Sequence, residues 1–274
     1  MVLLHDLASN ARIWELAAQY LARRGLVLLA PDGRGHGLTD KPEGDYSFDT
    51  FCRDLLAFIE VSGLEKPVLV GYGWGANLAL DYAVRFSFGP RAPAGIVLAN
   101  GGIAQLDDSS DGNLPVSLEE IQQRLAPQYR AGTPLEVYLE QLGRRQAGWQ
   151  PDEQTIPILL ANYDIGEDET LTPRLPLNQH LQIARALCEF KTYERFQRVR
   201  CPVLLLPSQP PEPLSNAELS SLAGIERGIA SAMEKIKDLQ VRWMERADPE
   251  IPLQRPAELA ELVADFIEAR VLKT

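Results

Sequence analysis

The residues with the most chemical content lie at 68–77, where Val68-Leu69-Val70 runs into Gly71-Tyr72-Gly73-Trp74-Gly75-Ala76-Asn77. An apolar run, a turn framed by Gly71 and Gly75, and an Ala/Leu-rich stretch are the setting of a Gly-x-Ser-x-Gly turn, which presents a nucleophile at its centre. The centre here is Gly73, which has no side chain with which to attack. Tyr72 carries a hydroxyl, but side chains neighbouring the centre of such a turn point elsewhere. The same glycines, read as Gly71-x-Gly73-x-x-Ala76, match the dinucleotide-binding pattern Gly-x-Gly-x-x-Gly/Ala, in which glycine lets the backbone approach a pyrophosphate. That alternative expects an acid at the end of the next strand, where the chain has Asn100.

The elements that must position this turn follow from hydrophobic periodicity. Val2–Leu4 reads as a strand, Ile13–Arg24 as a helix, Leu26–Ala30 as a strand and Phe48–Val61 as a helix. Pro67–Val70, Trp74–Arg85 and Ile96–Ala99 continue the alternation as strand, helix, strand. Short, continuous Val/Leu-rich strands separated by amphipathic helices predict an α/β fold, a mostly parallel sheet covered on both faces. Residues 114–198 break the pattern and read as helical with Pro, Gly and polar interruptions. Alternation resumes with strands at Val203–Leu206 and Val241–Met244 and a helix at Pro256–Val271. The expected organisation is a core of residues 1–113 and 199–274 with a helical lid, residues 114–198, over the sheet edge where open α/β folds bind ligands.

Four motifs in order make the chain resemble the α/β-hydrolase superfamily over essentially its whole length. Leu3-Leu4-His5-Asp6-Leu7 is similar to the family's strand ending in His-Gly, which begins the oxyanion loop. Pro31-Asp32-Gly33-Arg34-Gly35-His36-Gly37 resembles its Asp-x-Arg-Gly-His-Gly turn, and Gly71–Gly75 its nucleophile elbow. Ile251-Pro252-Leu253-Gln254-Arg255-Pro256 resembles the segment that follows the catalytic histidine in a lid-bearing bacterial subgroup.

The resemblance implies acyl-transfer chemistry, which needs a nucleophile, a base, an acid and an oxyanion hole. Gly73 stands at the nucleophile and, by spacing from Ile251-Pro252, Pro249 stands at the histidine. Neighbouring Asp248 and Glu250 are poor bases for a hydroxyl at ordinary carboxylate pKa. The acid's place after Ile96–Ala99 holds Asn100, with Glu212 as the later candidate. The oxyanion donors implied are the N–H of Trp74 and an N–H near Asp6 or Leu7. Asp6 replaces the usual glycine and brings a carboxylate beside them, which disfavours an oxyanion. Of the three histidines, His5 belongs to the oxyanion strand, His36 to the glycine-rich turn, and His180 to the lid, where it is a candidate pocket residue.

Composition narrows the partners. The 274 residues carry a formal net charge of −11, so nucleic acid and anionic membranes are not expected as partners. No stretch reaches the roughly 18 consecutive apolar residues of a membrane span. Cys52, Cys188 and Cys201 are widely spaced, which fits reduced thiols in a cytoplasmic protein rather than a disulfide framework or a zinc site. Three scattered histidines give no metal site, and no cofactor is expected.

The resemblance also implies an N-terminal hairpin ahead of Val2–Leu4, and none precedes it here. The strand Leu26–Ala30 is then a bare apolar edge, which predicts a homodimer through that edge or a start placed too late. The functional expectation is a hydrolase by ancestry with impaired or lost catalysis, binding a small apolar ligand beneath the lid. The alternatives are an active ester-type hydrolase working through a lid histidine, and a dinucleotide-binding protein.

Overall fold

The computed structural model describes residues 1–106, 130–143 and 149–272. Five parallel strands form the central sheet in the order Val2–Leu4, Val68–Tyr72, Gly95–Ala99, Val203–Leu206, Leu239–Val241. Alternate side chains enter opposite cores, as the two-residue period of a strand requires. Leu4, Leu69, Ile96 and Leu205 pack with the helices Phe48–Val61 and Trp74–Arg85. Leu3, Val70, Val97 and Leu204 pack with the helices Glu15–Arg23 and Pro256–Phe266. Both faces are thus covered, as the unbroken Val/Leu runs anticipate.

Three local expectations are corrected. Leu26–Ala30 is not a full strand: it meets the sheet through a bridge from Leu29 to Val2, with Leu3 N–H donating to the Leu29 carbonyl at 2.8 Å. Val27 on that edge is 74% exposed, so the segment lacks the second flank that would hold it extended. The last strand ends early, at Val241, and the separate short strand Met244–Glu245 pairs with Ser208–Gln209. The segment 114–198 is not purely helical. Among its described residues, Thr133–Pro134, Thr170–Pro173 and Tyr163–Ile165 make a small antiparallel sheet beside the helices Leu135–Gly143, Ile156–Leu160 and Leu177–Cys188. β-Formers at Tyr163, Ile165, Thr170 and Thr172 flank a tight turn. Asp168 closes that turn by accepting from the Thr170 hydroxyl at 2.8 Å, and Glu169 supplies a φ of 56°. Of the segment expected to form a lid, residues 114–129 and 144–148 lie outside the described residues.

The helix Asn216–Lys235 is one that periodicity alone does not anticipate. Its start was written in the sequence as a capping box, Ser215 with Glu218.

A buried ion cluster ties residues 192–196 to the sheet-covering helix Trp74–Arg85. The Asp81 side chain is only 3% exposed; it accepts from Arg85 Nε at 2.6 Å and Arg195 Nε at 2.7 Å. Arg195 also lies over the Phe190 ring at 3.7 Å. The helix Thr192–Phe196 is thereby fastened to Trp74–Arg85. Asp81→Ala leaves two guanidinium groups without their shared carboxylate. Because both arginines are partly exposed, the cost falls below that of a fully buried pair, at about 2–3 kcal/mol by urea denaturation.

Candidate functional site

Glycines let the helix Trp74–Arg85 begin directly over the end of the first strand. A Cβ on Gly75 would lie 2.5 Å from the carbonyl oxygens of Leu4 and His5, and one on Gly71 would lie 2.2 Å from the Gly75 carbonyl oxygen. Between them Gly73 caps the helix with φ 56° and ψ −123°. That conformation costs a non-glycine residue on the order of 1–3 kcal/mol and glycine very little. Its N–H donates to the Ala99 carbonyl and its carbonyl accepts from Ala76 N–H, both at 3.0 Å, so both backbone groups of Gly73 are hydrogen-bonded.

The space a side chain at 73 would take is filled by Asp6. A Cβ built on Gly73 would lie 2.1 Å from Asp6 Oδ1 and 2.3 Å from its Cγ. The Trp74 N–H donates to Asp6 Oδ1 at 2.6 Å. Burial pushes the Asp6 carboxyl above the usual carboxylate range. Hydrogen bonds from the Trp74 and Leu7 N–H groups and the nearby His5 pull it back, and Glu250 adds to the rise. The Trp74 N–H, which the sequence nominated as an oxyanion donor, is therefore spent on the protein's own carboxylate.

His5 and His36 hold this loop. Gly33 N–H donates to His5 Nε2 at 2.9 Å, so the proton sits on Nδ1, which donates to the Asp6 carbonyl at 2.8 Å. Both nitrogens are consumed by backbone, and burial lowers the pKa of His5. His36 stacks on Trp74 with ring centres 5.8 Å apart, and its Nε2 lies 2.6 Å from the Leu7 carbonyl. Burial and the adjacent His5 push its pKa down to about 3, against the opposing pull of the Arg34 and Leu7 carbonyls. Neither ring is free to act as a base on a substrate.

Asn100 and Pro249, far apart in sequence, are brought together. The Pro249 carbonyl accepts from Asn100 Nδ2 at 3.3 Å and from the Tyr72 hydroxyl at 3.1 Å. Asn100 adopts a φ of 50° and its Oδ1 accepts from the Ser208 hydroxyl at 3.1 Å. Gly73, Trp74, Asn100 and Pro249 border one cavity of about 330 Å³. His180, buried on the helix Leu177–Cys188, instead borders a second cavity of about 300 Å³ with Glu250, Tyr138 and Tyr163. Asp6 and Tyr72 border both. Asp248 is a loop brace: it accepts from Trp149 N–H at 2.7 Å. Glu212 is exposed and borders neither cavity.

Ser208 and the anchoring role of Tyr72 are what the sequence reading missed. No motif marks them, because each acts on backbone or on Asn100 across a long sequence separation. Among the described residues no three His, Cys, Asp or Glu side chains gather as a metal site. No described helix is long and apolar enough to cross a membrane. A pyrophosphate at this helix start would need the Trp74 N–H, which Asp6 holds.

The buried neutral histidines give a signed pH dependence. With a folded pKa near 3 against an ordinary 6.5, His36 binds more protons in the unfolded chain. Its contribution is fully present above pH 6.5 and is lost as pH falls toward 3. In urea titrations the stability gap between the wild type and His36→Asn therefore narrows from pH 7 to pH 5, by about 2 kcal/mol.

The chain matches a family model described as alpha/beta hydrolase family over residues 1–262. It is 32% identical over 85 residues to the AB hydrolase superfamily protein YisY of Bacillus subtilis (strain 168), covering 31% of this chain and 32% of YisY. The matches to this and two other curated relatives span only 29–32% of those proteins' lengths. Among solved structures, E-2-(acetamidomethylene)succinate hydrolase superposes with a TM-score of 0.74 at 21% identity, over 98% of this chain and 91% of that one. The esterase EaEST of Exiguobacterium antarcticum gives 0.71 at 16% identity, over 97% and 91%. At those identities the likeness is one of fold, and with the family match it places this chain in the alpha/beta hydrolase family.

Proposed function

We propose that this protein is a hydrolase-fold binding protein without hydrolytic turnover, holding a small, largely apolar molecule between the sheet edge and the lid. The observation that carries the reading is Gly73, in the conformation of a nucleophile turn, with a neighbouring carboxylate in place of the side chain. Pro249 and Asn100, at the positions the family resemblance gives to base and acid, bond to each other and offer no proton acceptor to a hydroxyl. Loss of a single triad member typically costs several orders of magnitude in rate, and here all three positions are altered. What remains are two adjoining cavities of about 300 and 330 Å³ with mixed walls, Leu142 and Leu159 beside Arg174 and Glu250 in one, Phe190 and Ile225 beside Asn77 and Asn100 in the other. Such spaces suit small ligands.

A second reading, turnover through a lid histidine, is favoured by one observation: His180 is buried and shares a cavity with Asp6 and Glu250. A water activated there would need oxyanion donors, and the Trp74 N–H is occupied.

A chromogenic short-chain ester separates the two. The wild type is expected to release chromophore no faster than buffer, while thermal denaturation in the presence of small apolar compounds shifts upward for those that bind. Turnover abolished by His180→Ala would replace the first reading with the second. Turnover that survives substitution of both Trp74 and His180 would defeat both.

A further inference from the structure

We infer that the cavity of about 330 Å³ takes an uncharged carbonyl compound, a ketone or an amide on an apolar body, with its oxygen held by the side-chain amide of Asn77. This rests on the binding reading above and names the cavity and the ligand's chemistry. One observation supplies the donor and another supplies the charge.

Asn77 is 6% exposed, lies one turn into the helix Trp74–Arg85 and borders this cavity. Its Oδ1 accepts from Gly102 N–H at 3.1 Å. Only the oxygen can accept that hydrogen, so the amide cannot be turned over, and Nδ2 is directed away from Gly102. Nδ2 makes no hydrogen bond to a described residue. Among the described residues, the partnerless side-chain atoms sealed inside the protein are Trp14 Nε1 and Gln179 Oε1. Asn77 Nδ2 is not one of them, so it opens on the cavity that Asn77 borders. Polar groups in so buried a setting are normally paired. Neighbouring polar side chains are spent within the protein. Asn100 joins Pro249 and Ser208, and the Thr192 hydroxyl donates to the Ala104 carbonyl at 3.1 Å. A ligand oxygen in the cavity supplies the acceptor that Nδ2 lacks.

The charge of the wall selects the kind of oxygen. Asp6 is the charged side chain among the described residues that border this cavity. It sits at the Trp74 N–H, three residues before Asn77 and so on the same side of the helix. A ligand carboxylate would reach Asn77 only by placing a second negative charge near Asp6. An uncharged carbonyl meets the same donor without that repulsion. Leu187, Phe190 and Ile225 line the rest of the wall and suit an apolar body.

Acetophenone, α-methylstyrene and benzoate are the probes. They set on one ring a C=O, a C=CH₂ of the same shape, and a carboxylate. In calorimetric titration of the full chain, acetophenone is expected to bind and benzoate is not. Crystals soaked in acetophenone should place its oxygen within hydrogen-bond distance of Asn77 Nδ2. Asn77→Asp keeps an acceptor for Gly102 N–H and removes the donor. The ratio of acetophenone to α-methylstyrene affinity should then fall about tenfold. If that variant does not fold, wild-type protein carrying ¹⁵N-asparagine gives the same answer: the Asn77 side-chain amide signal shifts with acetophenone and not with α-methylstyrene. An acetophenone oxygen bonded elsewhere, an unchanged ratio, or benzoate bound in the cavity as tightly as the ketone would overturn the inference. Binding by none of the three counts against it as well. α-Methylstyrene bound without preference for the ketone would defeat it and leave the binding reading standing. Ester turnover by a wild type that still holds the ketone on Asn77 would do the reverse.

Discussion

The close approach of the helix Trp74–Arg85 to the ends of the first two strands is the constraint from which the rest of the site follows. It exists because Gly75 lets the helix sit against the Leu4 and His5 carbonyls and Gly71 lets the chain double back on itself. Once the helix starts there, its first N–H points into the space above the sheet, next to the loop that leaves Leu4. That loop must then satisfy a buried donor, and Asp6 does so from one residue beyond His5. The His5 and His36 rings fill the gap beneath; His5 bonds the backbone through both nitrogens, and the neutral His36 donates its one N–H to one of the two carbonyls it faces, Arg34 or Leu7.

Much of the fold is legible in the sequence because it depends on local period. Val68–Leu69–Val70 and Ile96–Ala99 can only be interior strands, and Trp74–Arg85 can only be a packed helix. Leu26–Ala30 departs from its strand-like pattern for a reason periodicity cannot carry: a strand needs neighbours, and Leu29 bridges to Val2 alone among the described residues. The hairpin at Tyr163–Pro173 was hidden because its turn, Gly166 to Glu169, is set by an Asp168 side-chain bond and not by a sequence pattern strong enough to override the surrounding helical character.

The site was legible in its vacancies more than in its contacts. Gly73, Pro249 and Asn100 could be placed by spacing, and they do border one cavity. That Asp6 would reach the Trp74 N–H could be suspected only as charge near a donor, since a carboxylate one residue away in either direction would point elsewhere. The bond from Asn100 to the Pro249 carbonyl was beyond reach, because it joins residues whose loops meet only after the sheet has formed.

The overlap of Asp6 with the space beside Gly73 couples the two positions. A serine arriving first at 73 meets both a backbone conformation that penalises it and a carboxyl where its Cβ must go. A glycine arriving first at 6 strips a buried N–H of its partner and gains nothing until a second change follows. Each change is disfavoured without the other, so the effects of substitution at the two positions are not additive.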